Sequence, residues 1–153
     1  MKQRSTSQKG FTLIEILVVI GIIAILAGMV LIALNPNRIF SNTNNTVRSS
    51  NINQVLSAVG QYRAENKGKI PANITTTETE ICATNAGSCA SLIDMAVLTS
   101  GSKYIPEMPQ DPLCPTGCNA NGVGYTIWKT TSNIVHVKAP GTEGGGTALE
   151  VSQ

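Results

Sequence analysis

Histidine occurs once in this 153-residue chain, as His136. A Ser/His/Asp arrangement cannot be argued from one imidazole without partners, so catalysis by that route is excluded. His136 lies in a strand-like stretch and reads as a surface or sheet-packing residue. No block of Lys or Arg is present either. Lys103, Lys129 and Lys138 are scattered, which leaves no basic patch for nucleic acid. Gly144-Gly145-Gly146-Thr147 lacks the lysine and the spacing of a phosphate-cradling loop and reads as a flexible turn. No dense loop of oxygen ligands appears; Asp111 and Glu143 are the carboxylates that a calcium ion could use. The chain is therefore not expected to be an enzyme or to carry a resident cofactor.

Charge is scarcest between residues 11 and 34, where 24 residues hold a single ionisable side chain, Glu15. From residue 16 to residue 34 the sequence has 19 consecutive apolar or glycine residues, roughly 28 Å of helix at 1.5 Å per residue, the thickness of a bilayer's hydrocarbon core. Residues 1–10 hold Lys2, Arg4 and Lys9 and no acid, which places them on the cytoplasmic side by the positive-inside rule. Taking those three cations away leaves 8 Lys+Arg against 9 Asp+Glu, so the basicity of the whole chain belongs to its first ten residues. An ordinary secretory signal is cut behind its apolar stretch, after an A-x-A-like site. Here the far flank is Leu31-Ile32-Ala33-Leu34-Asn35-Pro36, with bulky Leu31 where a small residue belongs.

Gly10-Phe11-Thr12-Leu13-Ile14-Glu15 and the aliphatic run behind it resemble the class III signal of type IV prepilins and type II secretion pseudopilins. The resemblance implies cleavage between Gly10 and Phe11 by a membrane prepilin peptidase, and methylation of the new amino group on Phe11. It also implies that Glu15 of an incoming subunit meets the Phe11 amine of one already assembled. A lone charge in dehydrated surroundings costs several kcal/mol, and an opposite charge at matching depth removes much of that cost. The alternative is a first-turn acid favoured by the helix dipole at the headgroup level. Many family members have a helix-loosening proline where this chain has Ile32; here the break falls at Pro36. Gly21 and Gly28 are further weak points, and Ala24 with Gly28 forms a small-xxx-small pair.

Beyond the apolar run, length allows one small domain of roughly 80 residues, marginal by core burial alone. Its four cysteines, Cys82, Cys89, Cys114 and Cys118, are even in number and fit stapling in an oxidising compartment. Three pairings are possible. Cys82 with Cys89 and Cys114 with Cys118 is favoured, because each pair brackets turn-forming residues. The rival is a four-thiolate zinc site, for which C-x6-C and C-x3-C is unusual spacing. Asn35 can cap and Pro36 can open a second helix. Over residues 38–65 that helix carries an apolar stripe, Ile52, Val55, Leu56, Val59 and Tyr62, at helical spacing. Residues 41–53 are rich in Asn, Ser and Thr, poor helix formers whose order depends on neighbours. Gly68 and Pro71 end the element. A short helix is expected over residues 90–98, an extended connector over 104–109, a hairpin of strands 124–129 and 134–139, and a last strand over 147–151. Trp128 and Tyr125 read as sheet packing. Asn44-Asn45-Thr46 and Asn73-Ile74-Thr75 match the N-x-[ST] pattern, which is common by chance.

These readings give an α+β fold of the type IV pilin kind: a long N-terminal spine helix, transmembrane in its first half, packed against a small antiparallel sheet with disulfide-closed loops. The expected divisions are a leader (1–10), a transmembrane and assembly helix (11–34), an amphipathic half-helix (35–68) and a globular part (69–153). The resemblance implies a pilus subunit, or alternatively a type II secretion pseudopilin. Its implied partners are like subunits in a helical filament, the prepilin peptidase, an assembly ATPase and a membrane platform; no nucleic acid is expected. The precursor would sit in the cytoplasmic membrane and the product in an extracellular or periplasmic filament. Met108-Pro109-Gln110-Asp111-Pro112 ahead of Tyr125 resembles the P-x-D-P stretch of pseudopilins, whereas the disulfide-closed loops depart from their pattern. Two other classes remain: a binding module on an uncleaved anchor, and a secreted enzyme whose apolar run is only an export signal.

Overall fold

The computed structural model describes residues 10–33 and 35–153; the expected leader cations Lys2, Arg4 and Lys9, and Leu34, lie outside them. Two compact units result, one ending at Ile39 and one from Phe40 to Gln153. In the first unit, the aliphatic run forms α1 (Leu13–Ala33). No large apolar side chain of α1 is covered: the best shielded, Val18, is still 50% exposed. A helix apolar on every side has no solvent face, and its stable surroundings are lipid or other apolar helices. Leu13–Ile32 is long and apolar enough to cross a membrane. A Cβ at Gly21 or Gly28 would meet nothing within 4 Å, so the helix surface is open there.

Asn35, with φ at +42°, precedes α2 (Pro36–Glu65). Pro36 suits the first helical position, where an N–H has no intrahelical acceptor. The Asn35 carbonyl accepts from the Arg38 and Ile39 amides at 3.0 and 3.4 Å, so the helix opens at Pro36, as its sequence position implied, ahead of the amphipathic pattern over 38–65. At the other end Gly68, at φ +82°, donates its N–H back to the Arg63 carbonyl at 2.9 Å. Only glycine takes that backbone conformation without steric cost.

The second unit is built on the apolar stripe of α2. Ile52, Val55, Leu56, Ala58 and Val59 are buried, and Tyr62 packs at the edge of the same cluster. Full burial of each large aliphatic side chain is worth about 1.5–3 kcal/mol. Covering them is a four-stranded antiparallel meander, β1 (Thr79–Cys82), β2 (Gly122–Lys129), β3 (Val135–Ala139) and β4 (Leu149–Ser152), in the spatial order β1-β2-β3-β4. Register pairs Ile127 with Val137 and Val137 with Val151. Because side chains alternate along a strand, this sends Val123, Tyr125, Ile127, Val135, Val137 and Ala139 to one buried face. Trp128 and His136 fall on the other face, stacked with centroids 5.0 Å apart and planes 9° apart.

Four readings of the globular part need correction. The helix expected over 90–98 is only α3 (Ala96–Thr99), followed by a 3-10 turn at Ser100–Ser102. Ile93 is drawn instead to the outer edge of β1, where it donates to the Glu80 carbonyl and accepts from the Cys82 amide, both at 2.9 Å. β1 itself was not expected, since Thr79-Glu80-Ile81-Cys82 shows one large aliphatic residue among polar neighbours. The last strand lies at 149–152 rather than 147–151, and β2 begins two residues before the expected 124.

Candidate functional site

The start of α1 brings together the residues of the sequence motif. Thr12 donates from its N–H and from its hydroxyl to the Glu15 carboxylate, each at 2.8 Å, and the Glu15 N–H donates to the Thr12 hydroxyl at 3.3 Å. This is a capping box: the residue before the helix and the third residue within it satisfy each other's otherwise unpaired groups. Glu15 is thus held against the chain just past the Gly10–Phe11 bond. Gly10 is exposed, and the Phe11 side chain is 86% exposed. Placement of the carboxylate is thereby explained within one chain, and its charge has no cationic partner among the described residues.

A second constellation lies within the Phe40–Gln153 unit. Arg48, on α2, is fully buried, and its guanidinium is bidentate to Asp111, with Nε 2.6 Å from Oδ2 and Nη2 3.0 Å from Oδ1. Its remaining nitrogen, Nη1, donates to Asn45 Oδ1 at 2.8 Å and to Glu143 Oε2 at 3.1 Å. The bond that Arg48 donates to Asp111 lifts the Arg48 pKa further above its ordinary value, against the desolvation that opposes it. Asp111 also accepts from the Leu113 N–H at 2.9 Å. Asp111 and Glu143 were the candidate calcium ligands. The structure does bring them together, but around a guanidinium, which supplies the positive charge that a cation would. Among the described residues no group of three or more acidic, His or Cys side chains could hold a metal ion.

Sequence reasoning passed over Arg48, although a signal existed. Residue 48 stands four and seven positions before Ile52 and Val55, on the apolar stripe itself, and a charge there needs a buried partner. Nearby Asn51 donates to the Gln110 carbonyl at 3.1 Å and to the Tyr125 hydroxyl at 2.9 Å. Burial raises the Tyr125 pKa, keeping that hydroxyl neutral. The Asn-rich part of α2 therefore serves as a polar docking strip for the Gln110-Asp111 segment.

The four cysteines form two disulfides, Cys82 with Cys89 and Cys114 with Cys118, which removes the zinc reading because no thiolate is left to ligate. Glu80 joins the two disulfide-bearing regions: its carboxylate accepts from the Gly124 N–H at 2.7 Å and from the Asn119 side-chain amide. Gly124 is a required glycine, with φ at +81° and with the Asp111 Cβ and Cys118 Sγ both 2.8 Å from where a Cβ would stand. Of the two N-x-[ST] asparagines, Asn44 donates its amide to Glu143 at 2.6 Å and Asn73 to the Asp94 carbonyl at 2.7 Å. His136 Nδ1 lies 2.7 Å from a Glu150 carboxylate oxygen, on the sheet face away from the core.

Residues 5–31 match the family model of the prokaryotic N-terminal methylation motif, the class III signal peptide of type IV prepilins and pseudopilins. No curated protein and no solved structure matches the chain. The motif implies processing by a prepilin peptidase and assembly into pilin-type filaments. The apolar α1 fits a membrane-anchored precursor, and the family marked by the motif is structural rather than enzymatic.

Proposed function

We propose that this chain is a structural subunit of a type IV pilus, cut between Gly10 and Phe11, methylated on the Phe11 amine and polymerised through residues 11–34. The observation that carries the reading is Glu15. It is the one charge on a helix exposed on every side, fixed by Thr12 within one turn of the bond to be cut. Cleavage creates a cationic amine four residues away, and in a dehydrated core the two charges relieve each other between subunits. Transfer of α1 from lipid to a helical core gains little hydrophobic free energy, because both surroundings are apolar. The work must come from outside, and a cytoplasmic assembly ATPase acting through a membrane platform supplies it in this proposal.

N-terminal mass spectrometry of the processed chain tests the first step. A methylated Phe11 is expected; an intact Met1 supports the tethered binding module, and an end near Asn35 the secreted enzyme. For the second step, Glu15→Ala is expected to be cut normally and to be missing from filaments. Glu15→Ala subunits in filaments at normal levels would overturn the pairing. A pseudopilin of a type II secretion system is the second reading, favoured by the docking of the Gln110-Asp111 segment on Asn51 and Arg48 ahead of Tyr125. Imaging cells with and without the chain separates surface pili from a periplasmic pseudopilus.

A further inference from the structure

The β3–β4 connection, residues 140–148, is exposed apart from Thr142 and Glu143, which are half-buried. Glu143 is gripped by three side chains of α2. Its carboxylate accepts from Asn44 at 2.6 Å and Arg48 at 3.1 Å, its carbonyl accepts from Asn45 at 3.0 Å, and its N–H donates to Asn45 Oδ1 at 3.2 Å. Immediately after it, Gly144 and Gly145 take φ values of +76° and +75°, a pivot that residues with side chains rarely adopt. The gripping stretch is weak in its own right. Between residues 40 and 51 the one buried side chain of α2 is Arg48, apolar burial begins at Ile52, and the sequence is rich in poor helix formers.

We propose that Glu143 is a releasable latch, so that the strap 140–148 and residues 40–47 of α2 order and open together as a low-stability unit while Arg48, Asp111 and the core stay in place. Local opening is possible because Arg48 meets its two carboxylates with different nitrogens. Nη1 serves Glu143, whereas Nε and Nη2 serve Asp111, so releasing the strap leaves the buried pair intact. The inference does not depend on filament formation.

Amide hydrogen exchange on the full chain in detergent micelles tests it, with Glu143→Gln, Glu143→Ala and, as a control for loss of one carboxylate, Glu78→Gln. Loss of charge-assisted bonds at a locally opening segment should speed exchange roughly tenfold or more in residues 41–47 and in the peptide covering 140–148, more for Ala than for Gln. Residues 52–62 and strands β2 and β3 should stay within about twofold of the parent, as should the whole control. Unchanged exchange in the two segments, a change in only one of them, or acceleration spread equally through β2 and β3, including outright unfolding, overturns the latch.

Discussion

Arg48 is the residue whose environment leaves it least freedom. A buried guanidinium is tolerated when its donors find acceptors, and here Asp111, Asn45 and Glu143 provide them. Removing one partner of such a pair leaves the other buried and uncompensated, at a cost of about 3–5 kcal/mol. Arg48→Met is therefore expected to lower the unfolding free energy of the Phe40–Gln153 unit, read from urea titration, by that amount. Arg48→Lys should cost less, retaining charge while losing the bidentate fork. Gly124 is constrained by space rather than charge. Gly124→Ala places a methyl 2.8 Å from Asp111 Cβ and Cys118 Sγ at a φ of +81°, and about 1–3 kcal/mol of destabilisation should appear in the same measurement.

Among the elements, the strands carry a pH dependence. Burial pushes the Glu78 carboxyl up, but the Thr126 hydroxyl and the Lys138 ammonium together bring it below its ordinary value. The Lys138 nitrogen lies 3.0 Å from one carboxylate oxygen and 3.3 Å from the other. A group whose pKa is depressed on folding contributes stability above its unfolded value and loses it as pH falls through the lower folded value. The pair is partly exposed and screened, so the gain is a few tenths of a kcal/mol, or about 1–2 °C in Tm. Compared with Glu78→Gln, the parent chain should melt higher at pH 7, and the gap should close as pH drops through and below the ordinary carboxylate range. A gap that persists at pH 2.5 would mean that Glu78 contributes by packing.

Elements differed in how far the chain alone disclosed them, for physical reasons. α1 was readable because a long uncharged aliphatic run has few alternatives, and the stripe from Ile52 to Val59 because helical spacing is a local property. Each cysteine pair brackets turn residues, so its closure was readable too. β1 was hidden because its inward positions are few, one of them held by polar Thr79 opposite Ile127, so that Thr79 and Glu80 look like loop. The segment 90–95 misled because propensity there yields to pairing of Ile93 with a strand edge, a long-range contact that no local pattern carries. At the candidate site, the Thr12–Glu15 capping box was in plain view as T-x-x-E, yet Glu15 was read through its neighbours in a filament rather than through Thr12. Arg48 stood on the apolar face, and only the fold brings Asp111 and Glu143 to it from 63 and 95 residues away.

For the whole molecule, the division at Ile39 and Phe40 separates two kinds of stability. Everything that closes the second unit comes from within it: the α2 stripe from Ile52, the meander, both disulfides and the Arg48 network all use residues from 44 onward. Among the described side chains of α1 none is buried, and its large apolar residues are exposed. A chain beginning at residue 38, made in an oxidising compartment, is accordingly expected to be soluble without detergent and to unfold in one cooperative step. Its α2 should remain helical from Arg48 to Glu65, as amide exchange would report. Reducing both disulfides should lower its stability by about 2–4 kcal/mol each on the chain-entropy account, and a unit of this size has little surplus to absorb that. The reduced form is expected to lose cooperative unfolding at 37 °C, seen as a broad thermal transition by circular dichroism. If the truncated chain aggregates or lacks a cooperative transition while oxidised, the second unit draws stability from the segment removed, and the self-sufficiency argued from its core fails.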